Sequence, residues 1–313
     1  MRIAVVGAGG VGGYFATRWA EAGRDVILLA RGSHLDAIQK RGLRLRSPLG
    51  DVHVEIEATG TPSALSDADL VIFSTKTWQL PQAFEQVRPY LREEVVVLGV
   101  QNGVESAELL SSGHSHSSVL GGSCRVISYV EEPATIRHIG LSPTITLGEP
   151  AGGYSDRAAR IARLLAVSGC VTVEASVDIT ADIWRKFLVF SAVSGVGSFA
   201  DATIGSVLAE PKTRSLVASA IAEAANIGRA LDVQLKKGAE ERALSFLDTV
   251  PADGTSSMHR DFAASLRTEL EATSGYLCRV GRDLGIPTPT HDLIYESLIP
   301  LERAARDRSR GGD

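Results

Sequence analysis

Arg2-Ile3-Ala4-Val5-Val6-Gly7-Ala8-Gly9-Gly10-Val11-Gly12 joins an apolar run to a glycine motif. Ile3 to Val6 is the kind of run a buried parallel strand needs, and Gly7 to Gly12 fits G-x-G-x-x-G. A helix-like pattern follows through Tyr14, Phe15, Trp19 and Ala20 until Gly23, a helix stop, and a second apolar run spans Val26 to Ala30. In that setting each glycine has a mechanical use. Gly7 makes the tight turn, Gly9 lets backbone approach a pyrophosphate, and Gly12 allows close strand–helix packing. Ala8, Gly10 and Val11 complete the loop, and the helix N-terminus faces the phosphates. A plain Gly-rich turn is the alternative, and the strand-before, helix-after context argues against it.

The residue ending the second run bears on which dinucleotide is bound. An NAD site places Asp or Glu about twenty residues after the glycines to accept from the ribose 2′-hydroxyl. This chain has Arg31 there. A guanidinium suits a 2′-phosphate, which it can grip bidentately, and Ser33, Lys40 or Arg41 could add to that grip. The alternative is an ordinary exposed arginine.

At 313 residues the chain is long for one core, so two domains are expected. Hydrophobic residues make up 44% and charged residues 22%, ordinary for a globular protein. A net charge of −5 gives no support for nucleic acid as a partner, and an anionic membrane would repel it. The three cysteines, Cys124, Cys170 and Cys278, are widely spaced and lack C-x-x-C. That pattern fits a reducing cytoplasm and argues against a disulfide framework or a metal cluster. The first strand begins at Arg2 or Ile3, leaving no room for a signal peptide, and no run of about eighteen apolar residues suggests a membrane span.

Along the chain, Ser33 can cap a short helix to Lys40. Leu43, Leu45, Val52, Val54 and Ile56 then alternate around a turn at Ser47 to Asp51, which reads as a hairpin excursion. The sheet pattern resumes at Ala68 to Ser74, a helix runs through Phe84, Val87 and Leu91, and Glu94 to Val100 is another buried strand. Asn102 follows at that strand's carboxyl end, the edge where open α/β sheets bind ligands, although Asn-Gly also makes turns. From Gly121 to Gly148 the period shortens to two, predicting antiparallel strands on the sheet's edge. Ala158 to Val167 is helical, and Cys170 to Val173 is a last strand. Beyond a boundary near Asp178 to Thr180 helical patterns dominate: Ile183–Phe199, Thr213–Leu231, Ala239–Leu247, Phe262–Leu284 and His291–Arg306. Ser309 to Asp313 reads as a loose tail. The chain is therefore an α/β Rossmann-type dinucleotide-binding domain, residues 1–179, followed by an all-α domain, residues 180–313.

A Rossmann domain holds a cofactor but does not supply a proton, so a reductase must bring a donor, usually from its second domain. Lys186, early in the first long helix, could face the nicotinamide across an interdomain cleft. Its ammonium would stabilise a forming alkoxide and then protonate it, given enough burial to make the proton transferable. A solvated helix lysine is the alternative. Lys186, Phe190 and Ser194 fall at i, i+4 and i+8, one face of that helix. Further on, Ser256-Ser257-Met258-His259-Arg260-Asp261 leads, twelve residues past Ser257, to Glu269. The serines could serve a carboxylate or simply cap a helix. His259 and the pair His114 and His116 lack acidic or Cys partners at ligand spacing and read as loop histidines.

Gly7-Ala8-Gly9-Gly10-Val11-Gly12, Arg31-Gly32, Ser74-Thr75-Lys76-Thr77-Trp78-Gln79, Gln101-Asn102-Gly103, Trp184-Arg185-Lys186 and Ser256-Ser257-Met258 with Asp261 and Glu269 together resemble ketopantoate reductase (2-dehydropantoate 2-reductase) over nearly the whole chain. The resemblance implies an NADP-binding Rossmann domain and a C-terminal domain like that of 6-phosphogluconate dehydrogenase. It implies Lys186 as proton donor, Arg31 on the 2′-phosphate, and Lys76, Asn102 and Glu269 around cofactor and active site. It also puts Ser128 at a backbone cofactor contact and Ser257 at the substrate carboxylate.

Two departures bear on the substrate. Phe190 and Ser194 stand where the family's pantoate-making members carry asparagines, and Gly254 replaces another asparagine before the double serine. The expected activity is NADPH-dependent reduction of a 2-oxo acid, by default ketopantoate to pantoate in pantothenate biosynthesis. A more apolar 2-oxo acid is the second reading. A non-catalytic NADP-sensing protein is the third, disfavoured because a sensor needs no Lys186 or Glu269. The expected partner is a small 2-oxo acid, with no nucleic acid, membrane or metal. A homodimer is compatible with the sequence, which does not fix assembly.

Overall fold

Strand β1 (Arg2–Val6) is an interior strand of the sheet, and its alternate residues face two separate apolar layers. Ile3 and Val5 pack with Tyr14, Phe15 and Trp19 on one side, while Ala4 and Val6 pack with Phe73 and Phe84 on the other. A strand covered on both faces needs a continuous apolar run. In the computed structural model, which describes residues 1–310 (the side chains of 117, 141, 309 and 310 excepted), the chain divides into two compact units, Met1–Ile179 and Thr180–Asp313.

In the first unit β1 leads into α1 (Gly10–Glu21), β2 (Asp25–Leu29) and α2 (Gly32–Arg41). Next come β3 (Leu43–Arg46), β4 (Val52–Val54), β5 (Glu57–Thr59), β6 (Leu70–Phe73), α3 (Leu80–Val87), β7 (Val96–Gly99) and α4 (Ser106–Ser111). The unit closes with β8 (Val119–Glu132), β9 (Thr135–Gly148), α5 (Asp156–Leu165) and β10 (Thr172–Ser176). The strands order as β4-β3-β9-β8-β7-β6-β1-β2-β5, with β10 on β9. From β5 to β7 neighbours are parallel, so the carboxyl ends of β1, β2, β6 and β7 share one edge, and the chain reverses direction of winding between β1 and β6.

Helix α1 ends as the glycine predicts. Gly23 is left-handed (φ +73°), and Arg24 N–H reaches back to the Trp19 carbonyl at 2.9 Å. Arg18 is buried on this helix because its guanidinium has partners: Glu21 at 2.9 Å and the Gly50 carbonyl at 2.8 Å, which ties the hairpin of β3 and β4 to α1. That hairpin pairs Leu43 with Val54 and Leu45 with Val52, whereas Ile56 falls outside it.

Several expectations are corrected. Ser33 does not cap α2; Arg31 holds the N-cap position with extended backbone, and no side chain caps the helix. Strands β8 and β9 are not at the sheet's edge. β8 is long enough that Val119 and Leu120 pair in parallel with β7 before the rest turns antiparallel with β9, and β3 and β10 pair with β9 in turn. The short β5 and α4 carry no periodic signal and were not expected.

The second unit is helical among its described residues: α6 (Ile179–Ala200, beginning on the last residue of the first unit), α7 (Ile204–Ala209), α8 (Pro211–Ala230), α9 (Ala239–Leu247), α10 (Ser257–Ala263), α11 (Ser274–Leu284) and α12 (Pro289–Arg310). Trp184 and Phe187 of α6 pack edge-on against Tyr276 of α11. Glu223 of α8 accepts from the N–H groups of Thr290 and His291 at 2.9 and 3.0 Å, so a buried carboxylate closes the N-terminus of α12. The helix expected over Phe262–Leu284 is broken: Ser265 is left-handed (φ +56°), and a 3₁₀ turn at Leu270–Ala272 separates α10 from α11. Ser309 and Arg310, expected in a tail, continue α12; residues 311–313 lie outside the described residues. Among the described residues no helix is long and apolar enough to cross a membrane.

Candidate functional site

The glycine loop is built by contacts that exclude side chains. Gly7 is at φ +103°, which favours glycine. A Cβ on Gly12 would lie 2.0 Å from the Gly7 carbonyl oxygen, and one on Gly10 would lie 2.3 Å from the Ser128 carbonyl oxygen. Gly9 is different, because a Cβ there meets nothing within 4 Å. It is also the N-cap of α1, and as a glycine it offers no capping side chain to the helix's first N–H groups. An open backbone beside uncapped helical N–H groups is a cradle for an anion.

Register places other groups on the same edge. Val6 pairs with Leu29 and Phe73, and Phe73 with Gly99, so Gly7, Ala30, Ser74 and Val100 are level. Ser74 Oγ is 2.8 Å from the Gly7 carbonyl and fastens the loop to the end of β6. Arg31 is exposed just beyond β2, at the start of α2. Lys76, two residues past Ser74, carries its Nζ 5.7 Å from the Trp78 ring, and Asn102 is half-buried just past β7. The Thr75 and Ser128 hydroxyls are buried without a hydrogen-bond partner, leaving polar atoms for a ligand to satisfy. His34 Nδ1 accepts from Ala134 N–H at 3.1 Å, and burial pushes the ring's pKa down, so the neutral form with its proton on Nε2 is favoured. The open face at Gly9, these orphaned atoms and the exposed cation fit a dinucleotide.

The second unit holds the other candidates. Trp184 and Phe187 anchor α6 in the core, which turns Lys186 and Phe190 to a half-buried stripe, where Lys186 Nζ is 5.9 Å from the Phe190 ring. Ser194 does not share that stripe: it is 0% exposed, and its hydroxyl has no partner. Eight residues at about 100° each carry it roughly 80° round the helix from Lys186, far enough to enter the core. Ser194 therefore lies off the Lys186–Phe190 stripe, among the buried residues of α6.

Ser256 is the N-cap of α10, accepting from His259 N–H at 3.0 Å, and Ser257 is the first helical residue, half-buried. Gly254 donates to the Pro251 carbonyl and accepts from Ile204 N–H, so it closes a turn. Glu269 is 4% exposed and precedes the 3₁₀ turn rather than lying within a helix. Its carbonyl accepts from Thr273 Oγ1 at 3.0 Å, and Thr273 Oγ1 in turn lies 3.7 Å from Met258 Sδ, linking the Glu269 turn to the residue after Ser257. His259, expected to lack an acidic partner, has Asp201 Oδ1 at 2.8 Å, supplied from 58 residues away. His114 Nε2 meets the Val95 carbonyl at 3.0 Å. Among the described residues no group of three or more His, Cys, Asp or Glu could hold a metal ion. The buried Glu302 and Glu223 had no sequence signal, since each sits inside an otherwise ordinary helical pattern.

Comparison with known proteins bears on both units. Residues 3–152 match the family model described as ketopantoate reductase PanE/ApbA, and residues 178–302 match its C-terminal counterpart. An uncharacterized oxidoreductase of Bacillus subtilis, YkpB, is 30% identical over 304 residues, covering 96% of this chain and 99% of the relative. The crystal structure of a PanE/ApbA family ketopantoate reductase from Ralstonia eutropha superposes with a TM-score of 0.89 at 28% identity, covering 98% of this chain and 100% of that one. A ternary complex of D-mandelate dehydrogenase with NADH and anilino(oxo)acetate gives a TM-score of 0.89 at 22% identity, with 98% and 100% covered, a likeness of fold.

Proposed function

The chain belongs to the ketopantoate reductase family, and on that premise we propose that it is an NADPH-dependent reductase of a 2-oxo acid, with ketopantoate as the default substrate and pantothenate biosynthesis as its setting. The observation that carries this reading is Lys186, a lysine held half-buried on a helix whose neighbouring turns are anchored in the core. Gly7 to Gly12, Arg31, Lys76, Asn102 and Ser128 would hold the dinucleotide, the phosphates lying at the N-terminus of α1 and the 2′-phosphate at Arg31. When bound, that group supplies the hydride to the carbonyl carbon. Lys186 Nζ holds the proton that the carbonyl oxygen takes up, and its charge stabilises the alkoxide as it forms. The Phe190 ring beside it attracts the ammonium. Ser257 receives the substrate carboxylate, and Glu269 is the carboxylate of the site. The partner is thus a small 2-oxo acid, and the setting cytoplasmic.

A second reading, a more apolar 2-oxo acid, is favoured by one observation. Phe190 stands at the lysine and is not turned into the core, so the pocket gains apolar area where amide donors would meet a substrate hydroxyl. The D-mandelate dehydrogenase complex with anilino(oxo)acetate shares this fold and lends support. The experiment is NADPH and NADH oxidation against a panel of 2-oxo acids that includes ketopantoate, branched and aromatic members. NADPH should be preferred by on the order of tenfold to a hundredfold, the yield of one or two charge-assisted contacts at Arg31. No oxidation with any 2-oxo acid would overturn the reading, and equal kcat/KM for the two cofactors would remove the role of Arg31.

A further inference from the structure

Glu302 is a carboxylate in the core of the second unit, 1% exposed and two residues past Pro300 in α12. Burying such a group is costly unless its oxygens are well bonded. Its Oε2 accepts from both Thr268 N–H and Thr268 Oγ–H, each at 2.7 Å, and its Oε1 is 3.8 Å from Arg267 Nε. Thr268 immediately precedes Glu269. Thr268 lies between α10, which ends at Ala263 with Ser265 left-handed behind it, and the 3₁₀ turn; its N–H is committed to Glu302, and Glu269 follows at φ −94°, ψ 24°. On the other side Thr273 Oγ1 donates to the Glu269 carbonyl at 3.0 Å. The backbone of Glu269 is therefore pinned before and after, and the pin before it originates 34 residues away on another helix.

We propose that Glu302 is a positioning residue for the reaction: through Thr268 it fixes the turn that presents Glu269. This rests on the reading of Glu269 as a carboxylate of the reductase site. Charge-assisted bonds to a backbone N–H and a hydroxyl hold a turn more firmly than neutral ones, and displacement of a site group by about 1 Å can cost on the order of a hundredfold in rate.

The test is a double-mutant cycle on the full chain, with 2-oxo acid reduction as the readout and thermal unfolding recorded for each protein. Glu302→Ala should lower kcat by about 10–100-fold in the folded protein, and Glu302→Gln, whose amide oxygen still accepts from Thr268, should recover most of it. In the Glu269→Ala background, Glu302→Ala should cost no more than about a further twofold, because the group it positions is gone. If Glu302→Ala does not fold, Thr268→Val against Thr268→Ser carries the same cycle, the valine losing activity and the serine keeping it. Kinetic constants unchanged in folded Glu302→Ala or Thr268→Val, or losses that multiply in full with Glu269→Ala, overturn the proposal while leaving the reductase reading standing. An unmodified chain that reduces no 2-oxo acid, or a fully active Glu269→Ala, overturns the parent reading and this proposal together.

Discussion

Phe190 is where chemistry at one residue bears on the choice of substrate. Its ring lies 5.9 Å from Lys186 Nζ, and it offers no donor to a substrate hydroxyl. An unmet hydroxyl in a closed pocket costs about 1–3 kcal/mol, whereas each buried methylene of an apolar substrate gains roughly 0.8 kcal/mol. A branched or aromatic 2-oxo acid should therefore match or exceed ketopantoate in kcat/KM, and Phe190→Asn should move the ratio back toward ketopantoate. Assaying both proteins on both substrates checks this; a strong ketopantoate preference unmoved by Phe190→Asn would restore the plain family substrate. The pairing of Lys186 and Phe190 was legible because residues four apart are neighbours on a helix. Ser194 leaves their face because a straight helix rotates away from an i, i+4, i+8 line. The partnership of His259 with Asp201 was not legible at all, because nothing local marks a contact across 58 residues.

The loop between β1 and α1 makes a sharper test of an element. Gly10 and Gly9 are adjacent and both belong to the motif, yet their surroundings separate packing from binding. A Cβ on Gly10 meets backbone of β8 at 2.3 Å, so Gly10→Ala must push α1 from the sheet and should cost about 1–3 kcal/mol of stability. Gly9 has φ −69° and open space, so Gly9→Ala should leave the melting temperature nearly unchanged while weakening dinucleotide binding by about tenfold or more, each tenfold being about 1.4 kcal/mol. Titration of NADPH fluorescence beside thermal unfolding reads both, and undiminished binding by Gly9→Ala would remove Gly9 from the phosphate site. β1, α1 and β2 were legible because a buried strand, a glycine turn and a helix each leave a strong local pattern. β5, α4 and α7 were not, being only three to six residues long. The break between α10 and α11 was hidden for a different reason: it turns on a left-handed Ser265, and the acceptor that holds the stretch after it, Glu302, lies on α12.

Across the whole molecule, a half-buried histidine, His34, and a buried one, His291, link stability to pH. Burial pushes the pKa of His34 and of His291 below the ordinary value, His291 despite the opposing charge of Glu223. A depressed folded pKa means that the unfolded chain binds the proton more readily, so stability is fully present above about pH 6.5 and falls as pH drops below it, by up to about 1.4 kcal/mol per pH unit for each ring. Melting temperature should fall between pH 7.5 and 5.5, and His34→Gln, whose amide oxygen can still accept from Ala134 N–H, should flatten the fall; a pH-independent melting temperature would contradict it. The division into a dinucleotide-binding unit and a helical unit was readable from the change of period near Asp178. The proton donor's identity rests instead on one lysine among several, singled out by its neighbours. The most direct measurement is NADPH oxidation on mixing the protein with its best 2-oxo acid, for the unmodified chain and for Lys186→Ala, with NADPH binding measured separately. Turnover should fall by roughly 10²–10⁴-fold in Lys186→Ala while NADPH affinity stays within a few-fold. Unchanged turnover by Lys186→Ala would contradict the assignment of Lys186 as the donor.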